Sequence, residues 1–193
     1  VVSLDYCADQ YVLALSEREN ISALSPASQS SYAYYKAEAL GLPQIRVEAE
    51  AILKSKPDIV VRQWGGGFQA PDLLSAFGVE VAQIAFGNAF DMAEENLRHM
   101  GELLHAQEKA EGLIDERHRR LDRIEDALRL KSDRPRALYM TPGGVSAGKG
   151  TFIDRILTRA GVVNVTAQQG KTGWPSIDLE ELVLNPPDMI CLL

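Results

Sequence analysis

The apolar positions of this chain fall into two patterns, short runs and helical repeats. Unbroken runs such as 59–61 and 189–193 are typical of strands that are covered on both faces. Further strands are predicted at 1–4, 21–24, 79–84, 136–140 and 162–165. Short helices are predicted between them. Strands that alternate with short helices predict a right-handed α/β fold with parallel sheets.

A long amphipathic segment interrupts this alternation. Residues 91–131 contain no proline and only two glycines, and Leu, Ile and Met recur there at helical spacing. At 1.5 Å per residue, ~40 helical residues would span ~60 Å, which is longer than an ordinary domain helix. The segment is therefore predicted to be a helix that connects two lobes, although Gly101 or Gly112 could divide it into two shorter helices.

One pattern occurs twice. Residues 50–61 and 180–191 each place a Glu seven residues before a Pro-Asp pair, and an apolar run follows each Asp. Pro57 and Pro187 cannot continue a helix, and each favours an extended conformation for the residue before it. Both copies therefore predict a short helix, a stop and a buried strand. The repeat indicates two similar lobes; chance recurrence of a common α/β connection is the alternative.

These elements predict two Rossmann-like lobes with parallel sheets, joined by a long α-helix. We place an N-terminal α/β lobe at 1–88, the connecting helix at 89–132 and a C-terminal α/β lobe at 133–193. A loop, a helix and a strand follow the first copy of the repeat, and none follows the second. The second lobe is therefore expected to be incomplete at its C-terminus.

Composition narrows the function classes. The chain has 193 residues, a net charge of −7 and an isoelectric point near 5.0, without a basic cluster, so no nucleic-acid partner is expected. No apolar stretch approaches the ~20 residues of a membrane span. Cys7 and Cys191 fall in different predicted lobes, so they do not indicate a disulfide. No secretory leader is visible, which leaves a cytoplasmic protein or a removed leader.

A glycine-rich loop offers one candidate site. Residues 143–149 fit the pattern G-x-x-x-x-G-K between a predicted strand and a helix, where backbone N–H groups could hold a phosphate. However, Gly150 stands where a Mg²⁺-binding hydroxyl belongs, and Thr151 comes one place late. The alternatives are therefore a nucleotide- or phosphate-binding enzyme that uses the Gly143–Thr151 loop, and an ordinary loop at the end of a strand.

Aromatic residues mark a second candidate site. Trp64 and Phe68 follow a strand of the first lobe, and Trp174 lies in a loop of the second. Loop aromatics suit a large, flat, partly apolar ligand, with local packing as the alternative. Tyr32, Tyr34 and Tyr35 cannot all be buried on one face.

Other side chains indicate little chemistry of their own. Arg62 and Lys171 could bind an anionic ligand group or be solvated surface charges. The three histidines all lie in the long helix, so no histidine metal site is expected. No Ser or Cys stands in a nucleophile motif.

Asp9 is predicted to cap the first helix. Cys7 lies in a strand-to-helix turn that would favour a thiolate, although a partly buried cysteine is the favoured interpretation.

The two repeated glutamates have two interpretations. Glu50 and Glu180 each stand near the start of a short helix, where the helix dipole favours a carboxylate. Because they occupy the same place in both copies, they could instead form two matched acidic contacts for a partner with two basic sockets.

In its order of motifs the chain resembles the ABC-transporter substrate-binding proteins of the cobalamin and ferric-siderophore class. The matching residues are Val2-Ser3-Leu4 with Cys7-Ala8-Asp9, Lys56 to Val60, Leu74 with Gly78-Val79, the long helix, Ala147-Gly148-Lys149, Trp174-Pro175 and Glu180 with Pro187-Asp188. The resemblance implies that a ligand binds between the lobes with little closure. It also implies that Trp174 contacts the ligand, that Glu50 and Glu180 dock on arginines of the permease, and that the chain continues beyond Leu193.

The resemblance therefore predicts the exported, periplasmic, monomeric substrate-binding component of an ABC importer in the inner membrane. Its ligand would be a metal chelate, namely a ferric siderophore, haem or cobalamin, and neither catalysis nor a cofactor is expected. The predicted ligand-binding residues are Trp64, Trp174, Tyr32, Tyr35, Phe68 and Arg62.

Overall fold

The structure is a computed structural model that describes residues 1–67, 69–87 and 90–192. Phe68 therefore lies outside the described residues. The chain divides into two compact units. Unit 1 holds Val1–Gly87 and Asp91–Ile114, and unit 2 holds Phe90 and the residues from Asp115 onward. Each unit is described in turn.

Unit 1 is built on a parallel sheet with the strand order β1-β2-β3. Its strands are β1 Val2–Ser3, β2 Ile59–Arg62 and β3 Glu80–Gln83. Val60 of β2 is paired with Val2 on one side and with Val81 on the other. Parallel bridges from Val2 to Ala23 and from Leu24 to Gln44 extend the sheet beyond β1. The apolar runs of the sequence thus form the predicted parallel strands.

Helices cover both faces of this sheet. They are α1 Tyr6–Leu15, α2 Lys36–Ala39, α3 Ala49–Lys54, α4 Ala70–Ala76, most of α5 Phe90–Leu103 and the first part of α6 Gln107–Arg129. Successive strand residues point to opposite faces. Val60 accordingly belongs to a buried cluster with Ile52 and Leu74, whereas Val61 belongs to one with Val12 and Met100. An apolar strand covered on both faces explains why β2 shows no alternation.

The long helix is divided in two, as the alternative with a break near Gly101 allowed, and does not run continuously through the connecting segment. The chain leaves helical geometry at His105, whose φ is +54°. Gly101 lies near this break. Glycine is needed there because a Cβ at this position would come within 2.7 Å of the Ala110 Cβ. The turn buries both Met100 and Ala110 in one core cluster. Gly112 lies inside α6, which continues for 23 residues.

Unit 2 has a second parallel sheet with the order β5-β4-β6. Its strands are β4 Arg136–Met140, β5 Val163–Asn164 and β6 Met189–Leu192, and its helices are α7 Phe152–Arg159, α8 Val165–Gln168 and α9 Leu179–Leu184. Ala137, Tyr139 and Leu157 belong to its buried core. The Thr151 side chain accepts a hydrogen bond from the Asp154 N–H and caps α7.

The repeat in the sequence is a repeat in the structure. Helix α3 leads into β2 as α9 leads into β6, and both strands are parallel to the first strand of their unit. Within the described residues β6 has one strand neighbour where β2 has two. Ile190 and Leu192 are accordingly exposed, whereas Val60 and Val61 are buried. The predicted α/β fold with two similar parallel sheets is confirmed.

Candidate functional site

The carboxyl ends of the unit 1 strands form one edge of the sheet, because all strands are parallel. Among the described residues, four exposed aromatic side chains lie in the loops that leave this edge, and we call them the aromatic edge: Tyr32, Tyr34, Trp64 and Phe86. Trp64 follows β2, and Phe86 follows β3. The tyrosine loop leaves the sheet after the bridge at Leu24. In parallel α/β sheets this is the edge where ligands bind.

Asp5 fixes the loop that carries Trp64. Its Oδ2 accepts hydrogen bonds from the backbone N–H groups of Gln63, Trp64 and Gly65 at 2.7, 3.0 and 2.9 Å. Its Oδ1 accepts one from the Ala8 N–H at the start of α1. Asp5 is only 1% exposed, so its carboxylate is satisfied by these four donors within the fold. The residue that caps α1 is therefore Asp5. The prediction from the sequence that Asp9 caps this helix was wrong.

Gly65 lets this loop lie against β1. A Cβ at this position would come within 2.3 Å of the Leu4 carbonyl oxygen, a distance that no side chain tolerates. The exposed Trp64 ring is thus carried on a backbone that is fixed by Asp5 on one side and by contact with Leu4 on the other.

Asp9 fixes the loop that carries the tyrosines. Its carboxylate accepts hydrogen bonds from the Ser25 N–H at 2.9 Å, from the Ser25 Oγ at 2.6 Å and from the Ser3 Oγ. Burial raises the pKa of Asp9, and the hydrogen bonds from Ser25 and Ser3 oppose that shift. Asp5 and Asp9 therefore tie two aromatic loops to the same end of α1.

The tyrosines are arranged in pairs. The Tyr32 ring meets the Tyr6 ring edge to face, with centroids 5.3 Å apart, and the Tyr34 ring meets that of Tyr35 at 4.9 Å. Tyr35 is half-buried, whereas Tyr32 and Tyr34 are exposed. Burial raises the pKa of Tyr6, and Cys7 and Tyr32 add to the shift.

Two further side chains at this edge, Arg62 and Cys7, are at least partly buried. Arg62 is 5% exposed, and its guanidinium donates to the Gly67 carbonyl oxygen at 2.8 Å. It is therefore not the solvated surface charge that the sequence allowed. Cys7 is half-buried, as favoured, and burial raises its pKa, to which Asp5 and Asp9 add. The thiolate interpretation of Cys7 is wrong, because burial and two acidic neighbours disfavour the charged form.

A hydrogen-bond network also fixes Phe86. The side-chain amide of Asn96 accepts from the Ala85 N–H at 2.9 Å and donates to the Ala85 carbonyl at 3.0 Å. The Gln83 side chain donates to the Gln63 carbonyl at 2.7 Å, which links the loops after β2 and β3. Neither Phe86 nor Tyr6 was among the residues predicted from the sequence. The signal for Phe86 was its place directly after a predicted strand.

In unit 2 the glycine-rich loop is bonded to a neighbouring loop and does not cradle an anion. The N–H groups of Ser146, Gly148 and Lys149 donate to the carbonyls of Pro175, Gly173 and Lys171. A Cβ on Gly148 would lie 2.4 Å from the Lys171 carbonyl oxygen, so close contact between the loops explains the glycine.

The backbone N–H groups that a phosphate would need are therefore already bonded to the neighbouring loop, which argues against the phosphate-loop interpretation. The Thr151 hydroxyl is also engaged, because it donates to the Gly148 carbonyl and caps α7. A phosphate loop needs free backbone N–H groups at a helix N-terminus. The loop is instead the framework that carries Trp174, whose exposed ring meets Tyr139 edge to face at 6.3 Å. Lys171 is half-buried and contributes a carbonyl to that framework.

The two repeated glutamates occupy equivalent positions. Glu50 and Glu180 lie in the first turns of α3 and α9, each a six-residue helix that leads into a strand, and both are exposed. The Glu180 N–H donates to the Asp178 carboxylate at 2.9 Å. The helix dipole can stabilise both carboxylates, and both are accessible to a partner.

Two features are absent from the described residues. No three His, Cys, Asp or Glu side chains among residues 1–67, 69–87 and 90–192 lie close enough to hold a metal ion. In the same residues no helix combines the length and the apolar character that crossing a bilayer requires.

The geometry described so far is that of a parallel α/β unit whose carboxyl edge presents exposed aromatic rings. The chain belongs to the periplasmic binding protein family, which it matches over residues 1–193. It is 26% identical over 193 residues to the cobalamin-binding protein of Halobacterium salinarum strain R1, covering 98% of this chain and 52% of that protein. The chain thus spans about half the length of the curated relatives that it matches.

Solved structures share the fold. The periplasmic heme-binding protein RhuT from Roseiflexus sp. RS-1, in apo form, has a TM-score of 0.82 at 22% identity, over 99% of this chain and 74% of that one. A periplasmic heme-binding protein from Pseudomonas aeruginosa has a TM-score of 0.76 at 25% identity, over 99% and 70% of the two chains. The family and these neighbours are binding proteins and not enzymes.

Proposed function

We propose that this chain is the periplasmic substrate-binding component of an ABC importer and that it binds a metal chelate such as cobalamin, haem or a ferric siderophore. It would deliver the chelate to a permease in the inner membrane. The observation that carries this proposal is the aromatic edge, four exposed rings on loops that hydrogen bonds to Asp5, Asp9 and Asn96 hold in place.

Exposed aromatic rings of this kind support a ligand with a broad, partly apolar face. Aromatic side chains bury large areas on contact and stack on other ring systems. Trp64 and Tyr32 are held by backbone and ring contacts before any ligand arrives, so little ordering would oppose binding. Phe68 follows Trp64 in the same loop and is proposed as a further contact, whereas Tyr35 would support Tyr34 from behind.

Unit 2 is proposed to contribute its own aromatic surface. Trp174 is exposed on a loop that is bonded along its length to a second loop, and it packs against Tyr139. Such a framework suits a ligand contact better than an anion site. The relative from Halobacterium salinarum, which is named for cobalamin binding, supports a chelate ligand of this size.

Docking on the permease is proposed to use Glu50 and Glu180. Their support is their equivalence: each is exposed in the first turn of the helix that precedes the repeated strand of its unit. A carboxylate on each unit would match two basic sockets of a permease, and such charge complementarity sets the register of an interface.

Tryptophan fluorescence tests the proposed function, because the chain has only two tryptophans, Trp64 and Trp174. The purified protein is titrated with cyanocobalamin, haemin, ferrichrome and ferric enterobactin, with ATP as the control ligand. We expect saturable quenching by at least one chelate and none by ATP, and Trp64→Phe and Trp174→Phe assign the response. Silence from all four chelates, or a response to ATP alone, would refute the proposal.

A further inference from the structure

The loops of the aromatic edge carry no charged residue. Residues 25–35, 63–71 and 84–87 contain no Asp, Glu, Lys, Arg or His, although 24% of the chain is charged. The first charged residues that follow these loops along the chain, Lys36, Asp72 and Asp91, lie in helices. The loops offer instead tyrosine hydroxyls, glutamine amides and aromatic faces.

The charged groups beneath this edge are buried within the fold. Asp5 and Asp9 are buried and accept seven hydrogen bonds between them from backbone and serine donors. Arg62 is buried and donates to the Gly67 carbonyl. None of these three presents its charge at the surface, so the surface formed by these three loops is neutral.

The opposite edge of the same sheet shows that this neutrality is local. Where β2 and β3 begin, a groove is lined by charged residues that include Glu17, Asp58, Glu80, Glu108 and Lys109. Lys109 and Glu17 form an ion pair at 3.8 Å. Charge is thus present at the amino edge of the sheet and absent from the loops of its carboxyl edge.

We propose that the aromatic edge binds an uncharged chelate, one whose rim carries amides or hydroxyls and not carboxylates or catecholates. A carboxylate that is pressed against this edge would lose water without gaining a cation, which is costly. Amides of a ligand would be matched by the tyrosine hydroxyls and the glutamine amides of the loops. This inference rests on the proposed function and selects among its ligands.

Two pairs of probes test the selection. Cyanocobalamin and ferrichrome are neutral, whereas haemin and ferric enterobactin are anionic. Dissociation constants are measured by equilibrium dialysis at 50 and 500 mM NaCl. We expect a neutral chelate to bind at least about ten-fold more tightly than either anionic one, with a dissociation constant that salt changes less than about two-fold, because no ion pair is screened. Within the neutral pair, binding of cyanocobalamin would indicate a corrinoid ligand, and binding of ferrichrome would indicate a hydroxamate siderophore.

A charge introduced at the edge provides the matched variant. Ser31 is exposed beside Tyr32, and Ser75 is exposed on α4, away from the aromatic edge. Ser31→Lys is expected to strengthen binding of haemin or ferric enterobactin several-fold in a salt-dependent manner, and Ser75→Lys to leave it unchanged. Tight, salt-sensitive binding of an anionic chelate by the wild type would overturn this inference while leaving the proposed function intact. Failure of all four chelates to bind would overturn both.

Discussion

Replacing Asp5 with alanine is expected to lower the free energy of unfolding by about 4 kcal/mol. The side chain is buried, and its two oxygens accept four backbone N–H groups, three of them from the Trp64 loop. A buried donor that loses its partner costs about 1–3 kcal/mol, and water that enters the vacated space recovers part of the loss. Urea unfolding followed by circular dichroism measures the effect.

Two further variants separate the hydrogen bonds from the charge. Asp5→Asn can keep an oxygen toward Gln63, Trp64 and Gly65 and loses the bond from Ala8. It is expected to cost about 1–2 kcal/mol. Asp72→Ala, at an exposed position in α4, should stay within about 0.5 kcal/mol of wild type. The anchoring role of Asp5 would be wrong if Asp5→Ala behaved like Asp72→Ala.

The double variant Glu50→Ala with Glu180→Ala is expected to abolish transport and leave chelate binding unchanged. Both carboxylates are exposed in the first turns of helices that precede a strand, and neither belongs to a loop of the aromatic edge. Truncating one partner of a buried interfacial charge pair costs about 2–5 kcal/mol, so losing two removes productive docking. Uptake into vesicles that contain the permease, together with the dissociation constant of the chelate, measures the two effects separately.

The matched control removes one exposed carboxylate from each unit at other places. Glu80 is exposed on β3, and Asp126 is exposed on α6. Glu80→Ala with Asp126→Ala changes the net charge by the same amount and should transport normally. A parallel loss of chelate binding in the Glu50 and Glu180 variant would show that these residues do not act in docking.

The sequence predicted the strands and the repeat because both depend on local rules. Val60 and Val61 lie in an apolar run that lacks the polar positions of an amphipathic element. Pro57 ends the preceding helix whatever the tertiary fold. The same reasoning found the loops after the strands, and hence Trp64, Trp174 and the tyrosines. Element order and parallel pairing followed from the alternation of strands and helices.

What failed depended on contacts between distant residues. Leucine spacing continues on both sides of His105, so the sequence offered Gly101 and Gly112 as possible breaks but could not show that the chain turns there to bury Met100 and Ala110 together. Asp5 resembled an ordinary turn residue, because its three hydrogen-bond donors from the Trp64 loop lie about sixty positions later. The glycine-rich loop matched a phosphate-loop pattern whose donors are bonded to the loop at 171–175.

The most direct test of the central claim compares two exposed aromatic residues of unit 1. Trp64 is 57% exposed at the carboxyl edge of the sheet, and Phe77 is 65% exposed at the end of α4, before β3 begins. Isothermal titration calorimetry with the bound chelate measures Trp64→Ala and Phe77→Ala. We predict that Trp64→Ala weakens binding about ten-fold, as loss of one ring contact allows, while Phe77→Ala stays within about two-fold. Unchanged affinity in Trp64→Ala, or a larger loss in Phe77→Ala, would contradict a ligand site at the aromatic edge.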